Sequence, residues 1–307
     1  MQKNSNKVAL ITGAFGQDGK LLKSLLLKEK YNIIEIGSKR SLYNDTEINH
    51  YNILNEKDVK KLLSEYSIDE IYYLAAKVLS TESRNRDEDL SNSFIKNFDI
   101  NVNSYHFFLK NIKQETKIFY PASSYMFQSK DGMINEKSKI SPTNLYSINK
   151  STSYWLSKYY REKYNLFISV GFLFNHESLY RDSTYISKKI ILQAKEIKSG
   201  ERDSFNVYNE NQLVDWGHAE DYVKAMYLIM QHKISDDFII SSGELNSVKD
   251  FIKIVCQKMN INFEERMVIS KDKQTSLPYY FGDNKKILNT INWKPEKKLT
   301  DIIEDMI

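Results

Sequence analysis

The chain has 307 residues, of which 44 are basic and 40 acidic, so its net charge is only +4. This balance gives no electrostatic reason to expect nucleic-acid binding, and the sequence contains no apolar run long enough to cross a membrane. The polar residues 1–7 lead straight into an apolar run rather than forming a signal peptide, so we expect a cytoplasmic protein. The single cysteine, Cys256, rules out an intrachain disulfide, and its apolar surroundings favour a core thiol.

Short apolar runs alternate with helical patterns along most of the chain. Strands are predicted at 8–11, 33–36, 69–75, 117–120, 167–172 and 238–240, and helices at 19–28, 94–113, 147–164 and 219–232. This alternation is typical of an α/β fold with a doubly wound parallel sheet. The pattern weakens after 174, and the tail from 247 predicts a small α/β unit. The predicted domains are therefore a Rossmann domain of residues 1–175 and 213–245 and a smaller, interleaved C-terminal substrate-binding domain of residues 176–212 and 246–307.

A glycine-rich turn follows the first predicted strand directly and places glycines at 13, 16 and 19. The first glycine permits a tight turn, the second lets the backbone approach a pyrophosphate, and the third lets helix and strand pack closely. The N-terminus of the next helix offers free N–H groups to phosphates. The turn therefore predicts a nicotinamide dinucleotide site. The residues expected there are Gly13, Phe15, Gly16, Gln17, Asp18 and Gly19.

The residues after the second predicted strand bear on the choice between NAD and NADP. An acidic residue there would bind the ribose hydroxyls of NAD, whereas basic residues would suit the 2′-phosphate of NADP. The sequence has Ser38, Lys39 and Arg40 and no acid. The two basic side chains either hold a phosphate or point into solvent, and this pattern leaves both readings open.

Tyr146 and Lys150 lie four residues apart at the start of a predicted helix, and this spacing puts them on one face. A phenol titrates near pH 10 and is a poor base at neutral pH. A nearby ammonium, together with the positive ring of an oxidised nicotinamide, would favour the phenolate and make it a usable base. Ser123 and Ser124 follow a predicted strand and are well placed to orient a substrate hydroxyl.

Several longer segments resemble the extended short-chain dehydrogenase/reductase family and, within it, the GDP-mannose 4,6-dehydratases. They are residues 11–19, 164–167, 173–178, 215–223 and 292–295. The resemblance implies that Ser124 is the catalytic hydroxyl, Tyr146 the base and Lys150 its activating lysine. It also implies a GDP-sugar substrate, of the GDP-mannose or GDP-manno-heptose type, and a homodimer formed through the helices near 94–113 and 147–164.

The resemblance implies further contacts with the cofactor and the sugar nucleotide. Near the cofactor it implies Asn52, Ile53, Leu74, Ala75, Ala76, His176 and Arg181. The candidates on the substrate side are Lys77, Ser124, Tyr125, Met126, Asn175, Lys188 and Arg202. Val214 and Leu277 stand where the family has arginines that hold the diphosphate. Lys188, Lys189 or Arg202 either compensate for those arginines or are solvated surface charges.

Met126 stands where the dehydratases have a glutamate that removes the C5 proton of the 4-keto sugar. A thioether cannot accept a proton, and loss of a positioned base costs about 10²–10⁴ in rate. Our first interpretation is therefore a 4-dehydrogenase, which oxidises the C4 hydroxyl and passes the hydride to a second small-molecule acceptor. The alternatives are a 4-epimerase or 4-keto reductase, and a 4,6-dehydratase with a different base.

The comparison with the family also bears on the cofactor. The dehydratases have two arginines after the second strand, and the first of these becomes Ser38 here. We therefore expect tightly bound NAD, with NADP as the alternative.

Overall fold

The computed structural model describes residues 6–77, 90–127, 132–269 and 279–307, without the side chains of 90–93 and 267–269. The strands are β1 (Val8–Thr12), β2 (Asn32–Ile36), β3 (Ser41–Tyr43), β4 (Thr46–Ile48), β5 (Glu70–Tyr73), β6 (Lys117–Ser123), β7 (Gly132–Ile134), β8 (Ile168–Leu173), β9 (Asn175–Glu177), β10 (Phe205–Val207), β11 (Leu213–His218), β12 (Asp237–Ile240), β13 (Leu245–Ser247), β14 (Met267–Ile269) and β15 (Tyr280–Gly282). No helix in these ranges is both long and apolar enough to cross a membrane.

The helices lie between the strands. They are α1 (Gln17–Lys28), α2 (Glu56–Glu65), α3 (Leu90–Phe98), α4 (Ser104–Asn111), α5 (Leu145–Tyr164), α6 (Ile186–Ser199), α7 (Ala219–Gln231), α8 (Val248–Met259), α9 (Phe263–Arg266), α10 (Lys285–Ile291) and α11 (Leu299–Met306). The single helix predicted at 94–113 is interrupted by a π-helical turn at Asp99–Asn103 between α3 and α4. Insertions of this kind often lie at functional sites.

The main sheet has eight strands in the order β12-β8-β6-β5-β1-β2-β3-β4. The first six of these strands are parallel, and the six predicted strands all belong to them. This confirms the predicted Rossmann fold. The chain passes from β1 to β2 on one side and later to β5 on the other, so a crevice forms at the carboxyl ends of β1 and β5. Ligands of open α/β sheets bind at such a switch point.

A short hairpin, which the sequence analysis missed, continues the sheet beyond β2. β3 and β4 pair antiparallel and are joined at Asn44 and Asp45, whose φ angles are +46° and +64°. Two successive residues with positive φ characterise a tight hairpin turn, and asparagine and aspartate tolerate that conformation best after glycine.

A second apolar core lies apart from the one that surrounds the main sheet. It is formed mainly by side chains of α6, α8 and α11, together with Phe205, Val207 and Trp216. Cys256 is buried in this core, and burial raises the pKa of its thiol to about 11, in agreement with the predicted core thiol. Its members come mostly from the two chain segments assigned to the substrate-binding domain, although the exact domain division stays a prediction.

The C-terminal segment is bonded to α7, which packs in the core around the main sheet, here called the first core. The indole N–H of Trp293, which is fully buried, donates to the carbonyl of Asp221 at 3.0 Å. The Asp221 carboxylate accepts from the backbone N–H groups of Glu296 and Lys297 at 3.0 and 2.9 Å. The segment at 292–297 is therefore an anchor rather than a loose tail.

Candidate active site

The glycine-rich turn joins β1 to α1 at the switch point. Gly13 has φ +69°, and a Cβ there would lie 2.9 Å from the backbone nitrogen of Ala75 and the carbonyl carbon of Leu74. A Cβ on Gly19 would lie 2.5 Å from the carbonyl oxygen of Ala14. Gly16, the N-cap of α1, supplies no side-chain cap, so the first N–H groups of the helix are free to meet an anion. The turn has the geometry of a pyrophosphate cradle.

The residues after β2 lie beside this turn. Gly37 packs against the ring of Phe15, since a Cβ on Gly37 would be only 2.4 Å from that ring. The guanidinium of Arg40 lies over the same ring, 4.2 Å from its centroid. Ser38, Lys39 and Arg40 are all exposed, but only Arg40 contacts the ring of Phe15. Arg40 is thus directed towards the glycine-rich turn, which makes it the best placed of the three to meet a cofactor phosphate.

Two other predicted cofactor contacts lie near β4 and α2. The side chain of Asn52 accepts from the backbone N–H of Leu54 at 3.0 Å, so its carbonyl oxygen already closes a turn. Ile53 packs against the first core. Their contact with the cofactor, which the resemblance implies, stays a prediction.

Tyr146 and Lys150 lie in the first two turns of α5, as predicted. A reciprocal capping box between Asn144 and Ser147 fixes the start of this helix. The Lys150 Nζ donates to the carbonyl of Pro121 at 2.7 Å and lies 5.8 Å from the centroid of the Tyr146 ring. The base and its lysine therefore lie beside the carboxyl end of β6.

The ionisation of this pair differs from the prediction in one respect. Burial lowers the pKa of the Lys150 ammonium to about 7, and the charge of Asp18 only partly opposes this. Burial also raises the pKa of the Tyr146 phenol, and the neighbouring phenols of Tyr185 and Tyr125 raise it further. The lysine alone does not make the phenol acidic. The contribution of a positive nicotinamide ring stays a prediction.

The two serines after β6 have different partners. Burial raises the pKa of the Tyr146 phenol, and the nearby side chain of Ser123 partly opposes this. Ser124 is buried, and its side chain acts instead on Tyr280, where it partly opposes the rise in pKa that burial causes. Ser123 is therefore a neighbour of the predicted base, and the catalytic role of Ser124 stays a prediction. Ser124 lies one residue further along the same turn.

The short 3₁₀ turn at Ser124–Met126 presents one accessible side chain to the crevice. Met126 is fully buried in the first core, and its predicted place on the substrate side stays a prediction. The Tyr125 side chain is 48% exposed. Burial and the neighbouring Tyr185 raise the pKa of its phenol, and the nearby side chain of Asn175 partly opposes this. Tyr125 and Asn175, both predicted on the substrate side, are thus brought together across the ends of β6 and β9.

A polar network joins α1 to β9. The Asp18 carboxylate lies 3.0 Å from the Nε2 of His176, whose other ring nitrogen lies 2.7 Å from the carbonyl of Phe174. The Gln17 amide donates to the carbonyl of His176 at 3.0 Å. Although burial favours the neutral acid, the charges of His176 and Arg181 hold the pKa of Asp18 below its usual value. The predicted cofactor residues 17, 18, 176 and 181 form one connected group.

Sequence reasoning missed two members of this group. Glu177 is buried and accepts from the guanidinium of Arg181 at 2.6 Å and from the hydroxyl of Ser187 at 2.7 Å. The same guanidinium lies over the ring of Tyr185, 4.3 Å from its centroid. Tyr185 lies at the start of α6, in a stretch with no clear periodicity, and the sequence offers no motif that would have identified it.

The remaining predicted residues have other surroundings. Ala76 and Lys77 are exposed after β5, and the Lys77 backbone N–H and carbonyl both bond the side chain of Asn101, each at 3.0 Å. The Lys188 Nζ donates to the carbonyl of Leu179 at 3.3 Å. Arg202 pairs with Glu196 at 2.6 Å beyond the far end of α6.

The position of Arg202 argues against its predicted substrate contact. The 14 residues of α6 correspond to roughly 20 Å of helix between Tyr185 and the region of Arg202. Arg202 is therefore outside the group of residues that the crevice brings together. Leu277 lies outside the described residues. Within the described ranges, no group of three or more His, Cys, Asp or Glu side chains is arranged to hold a metal ion.

The parallel sheet, the glycine-rich turn and the Tyr–Lys pair on α5 define a Rossmann-fold enzyme of the extended short-chain dehydrogenase/reductase class. A model of the family described as GDP-mannose 4,6 dehydratase matches residues 10–306. The chain therefore belongs to that family.

Among similar proteins, GDP-mannose 4,6 dehydratase of Cricetulus griseus is 30% identical over 98% of this chain and 90% of its own. GDP-mannose 4,6 dehydratase 1 of Arabidopsis thaliana is 28% identical over 98% of this chain and 89% of its own. Solved structures share the fold at lower identity. RMD from Pseudomonas aeruginosa, complexed with NADPH, has a TM-score of 0.82 at 16% identity and covers 98% of both chains. The dTDP-glucose 4,6-dehydratase of Bacillus anthracis, in complex with NAD, has a TM-score of 0.79 at 17% identity. The match covers 98% of this chain and 95% of that one.

Proposed function

We propose that this protein oxidises the C4 hydroxyl of a GDP-linked sugar with a nicotinamide dinucleotide, as the first step of a 4,6-dehydration. The observation that carries the proposal is Tyr146 beside Ser123, with Lys150 one helical turn further along, at the carboxyl end of β6. The glycine-rich turn supports cofactor binding, since a side chain on Gly13 would fill the close approach to Ala75. A bound nicotinamide would supply the hydride acceptor.

The chain's own residues have distinct tasks in this step. Tyr146 takes the proton of the C4 hydroxyl, and Ser123 orients either that hydroxyl or the phenol. Lys150 holds its place through Pro121 and, when charged, stabilises the phenolate. The free N–H groups at the start of α1 and the side chain of Arg40 hold the phosphates of the cofactor.

The full 4,6-dehydration is favoured by family membership and by relatives whose names specify this reaction. Those names also support GDP-mannose as the substrate, with GDP-manno-heptose as a further candidate. This agrees with the alternative reading of the sequence, a dehydratase with a different base, better than with our first interpretation of a net 4-dehydrogenase. The thioether of Met126 cannot accept a proton, so a dehydratase would need another group as the base.

A net 4-dehydrogenase is the second candidate, and Met126 is the observation that favours it. In that case the reaction ends at the ketone, and a second small-molecule acceptor removes the hydride. A 4-epimerase would instead return it to the other face of C4.

Mass spectrometry after incubation with GDP-mannose or GDP-manno-heptose and either NAD or NADP distinguishes these outcomes. Loss of water is the expected result, loss of two hydrogens indicates a dehydrogenase, and an unchanged mass with altered C4 configuration indicates an epimerase. No change in either substrate and no reduced cofactor would contradict the proposal.

The proposal includes a homodimer formed through α3 and α5. Ile95, Trp155 and Tyr159 are large apolar residues of these helices, and their side chains are 56%, 53% and 52% exposed. Trp155 and Tyr159 lie four residues apart on one face of α5, and an exposed apolar surface of this kind is typical of an interface. Light scattering should give the dimer mass for the wild type and the monomer mass for Trp155→Glu with Tyr159→Glu. A monomeric wild type would refute the dimer.

A further inference from the structure

The side chain of Gln17, in the first turn of α1, bridges two residues at the end of β9. Its amide N–H donates to the carbonyl of His176 at 3.0 Å, and its amide oxygen accepts from the hydroxyl of Ser178 at 3.0 Å. Ser178 is fully buried. Both polar ends of this one side chain are therefore bonded to the chain that leads from β9 towards α6.

Two further side chains of α1 contact the same stretch of chain. The carboxylate oxygens of Asp18 lie 3.1 and 3.0 Å from the Nε2 of His176. The ring is also held at its other nitrogen, 2.7 Å from the carbonyl of Phe174. Nearer the surface, the Nζ of Lys20 lies 4.7 Å from the centroid of the Tyr180 ring. The start of α1 thus contacts residues 176–180 through three side chains.

The chain held in this way carries residues predicted on the substrate side. Asn175 immediately precedes His176 on β9, and residues 178–185 belong to no helix or strand. The guanidinium of Arg181 donates to Glu177 at 2.6 Å and also to the carbonyl of His176, the acceptor of the Gln17 amide. A shift of β9 relative to α1 would therefore move Asn175 and Arg181 together.

The first turn of α1 needs an acceptor for its own N–H groups. Its N-cap is Gly16, which supplies no side-chain cap. A helix end whose N–H groups have no acceptor frays more readily than a capped one. A cofactor phosphate at this end would supply the acceptor and stabilise the turn that carries Gln17 and Asp18.

We propose that Gln17 and Ser178 are positioning residues that couple the two ligand sites, so that the dinucleotide and the GDP-sugar each tighten the binding of the other. This inference rests on the proposed function, because it requires both ligands in one crevice. The cofactor phosphates complete the first turn of α1, and Gln17 then holds His176 and Ser178 in the arrangement that binds the sugar nucleotide. Thermodynamic linkage makes the effect reciprocal.

The coupling is measured with GDP-mannose and NADPH, with NADH in parallel. Neither pair can react, because the nicotinamide and the sugar alcohol are both reduced. Cofactor fluorescence gives the Kd of the cofactor without and with saturating GDP-mannose, and the ratio of the two values is the coupling. For the wild type we expect a ratio of about 5–150, the usual range for coupled sites.

Ser178→Ala removes the hydroxyl on the sugar side of the contact and leaves the cofactor turn unaltered. It should lower the ratio by about 2–10-fold, the factor that corresponds to one hydrogen bond. Ser183→Ala, a substitution of an exposed serine in the same stretch, is the matched control and should keep the wild-type ratio. A role confined to folding would weaken the binding of each ligand alone and leave the ratio unchanged.

A double variant tests whether the two residues act through their shared bond. Gln17→Met combined with Ser178→Ala should lower the ratio no further than Gln17→Met alone. A wild-type ratio near one, an unchanged ratio in Ser178→Ala, or additive losses in the double variant would overturn the inference. A wild type that binds neither cofactor, or does not bind GDP-mannose, would instead contradict the proposed function, so the two failures are distinguishable.

Discussion

Replacing Lys150 by methionine should abolish the proposed oxidation and yet stabilise the fold at neutral pH. Burial lowers the pKa of this lysine from 10.5 to about 7, and each pKa unit corresponds to about 1.4 kcal/mol. The buried ammonium therefore costs the protein about 4–5 kcal/mol at pH 7. Its bond to the carbonyl of Pro121, which methionine cannot make, returns about 1.5–3 kcal/mol. We expect Lys150→Met to gain about 1–3 kcal/mol in free energy of unfolding.

The effect of Lys150→Met on stability should depend on pH. Between pH 7 and 10.5 the unfolded chain binds the Lys150 proton and the folded chain releases it, so the stability of the wild type rises with pH through this window. The advantage of Lys150→Met should therefore shrink as the pH rises from 7 towards 10.5. Urea unfolding of both proteins without cofactor, followed by circular dichroism at several pH values, measures the difference directly.

A lysine on the same helix provides the control. Lys158 lies on the accessible side of α5, where its side chain is 39% exposed, and it is paired loosely with Glu162. Lys158→Met should change the stability by less than about 0.5 kcal/mol at any of these pH values. The reasoning is refuted if Lys150→Met is less stable than the wild type at pH 7, or if the difference between the two does not vary with pH.

Three further predictions concern other parts of the fold. Tyr146→Phe should lower the rate of cofactor reduction by about 10²–10⁴ with little effect on cofactor affinity, and a wild-type rate in a stopped-flow assay would remove Tyr146 from the mechanism. Arg40→Ala should weaken NADPH binding more than NADH binding, by about tenfold in the ratio of fluorescence-measured Kd values, because only NADPH carries a 2′-phosphate for the guanidinium to bind. An unchanged ratio would indicate that Arg40 does not contact that phosphate. Asp221→Ala should lower the free energy of unfolding by about 2–4 kcal/mol, because two backbone N–H groups lose their acceptor. Replacing the exposed Glu220 by alanine should lower it by less than about 1 kcal/mol. Equal losses of the two variants in urea unfolding would contradict the anchoring role of Asp221.

Patterns tied to regular structure predicted the fold well. The period of the apolar residues identified all six parallel strands, because buried parallel strands are almost continuously apolar. The glycine-rich turn and the Tyr–Lys spacing also lie where the sequence puts them. The β3–β4 hairpin was missed because its turn uses Asn44 and Asp45 instead of glycine. The break between α3 and α4 was missed because Asp99–Asn103 contains no glycine or proline to mark it.

The candidate site was harder to predict, since its members meet through tertiary structure. Ser123 and Ser124 are adjacent and chemically identical, and only the geometry of the turn after β6 decides which one faces Tyr146. The same turn buries Met126 and exposes Tyr125, which no periodic pattern could reveal in so short an element. Tyr185 reaches the crevice from a segment without a motif.

The position of Trp293 limits how this enzyme could be dissected or recombined. Although it lies close to the C-terminus, its indole completes the apolar core around the main sheet and bonds to α7. A fragment that ends before residue 292 would lose part of the interior of its nucleotide-binding half as well as its last helix. Chimaeras that exchange the substrate-side segments between relatives should therefore keep this tryptophan and α7 from the same parent.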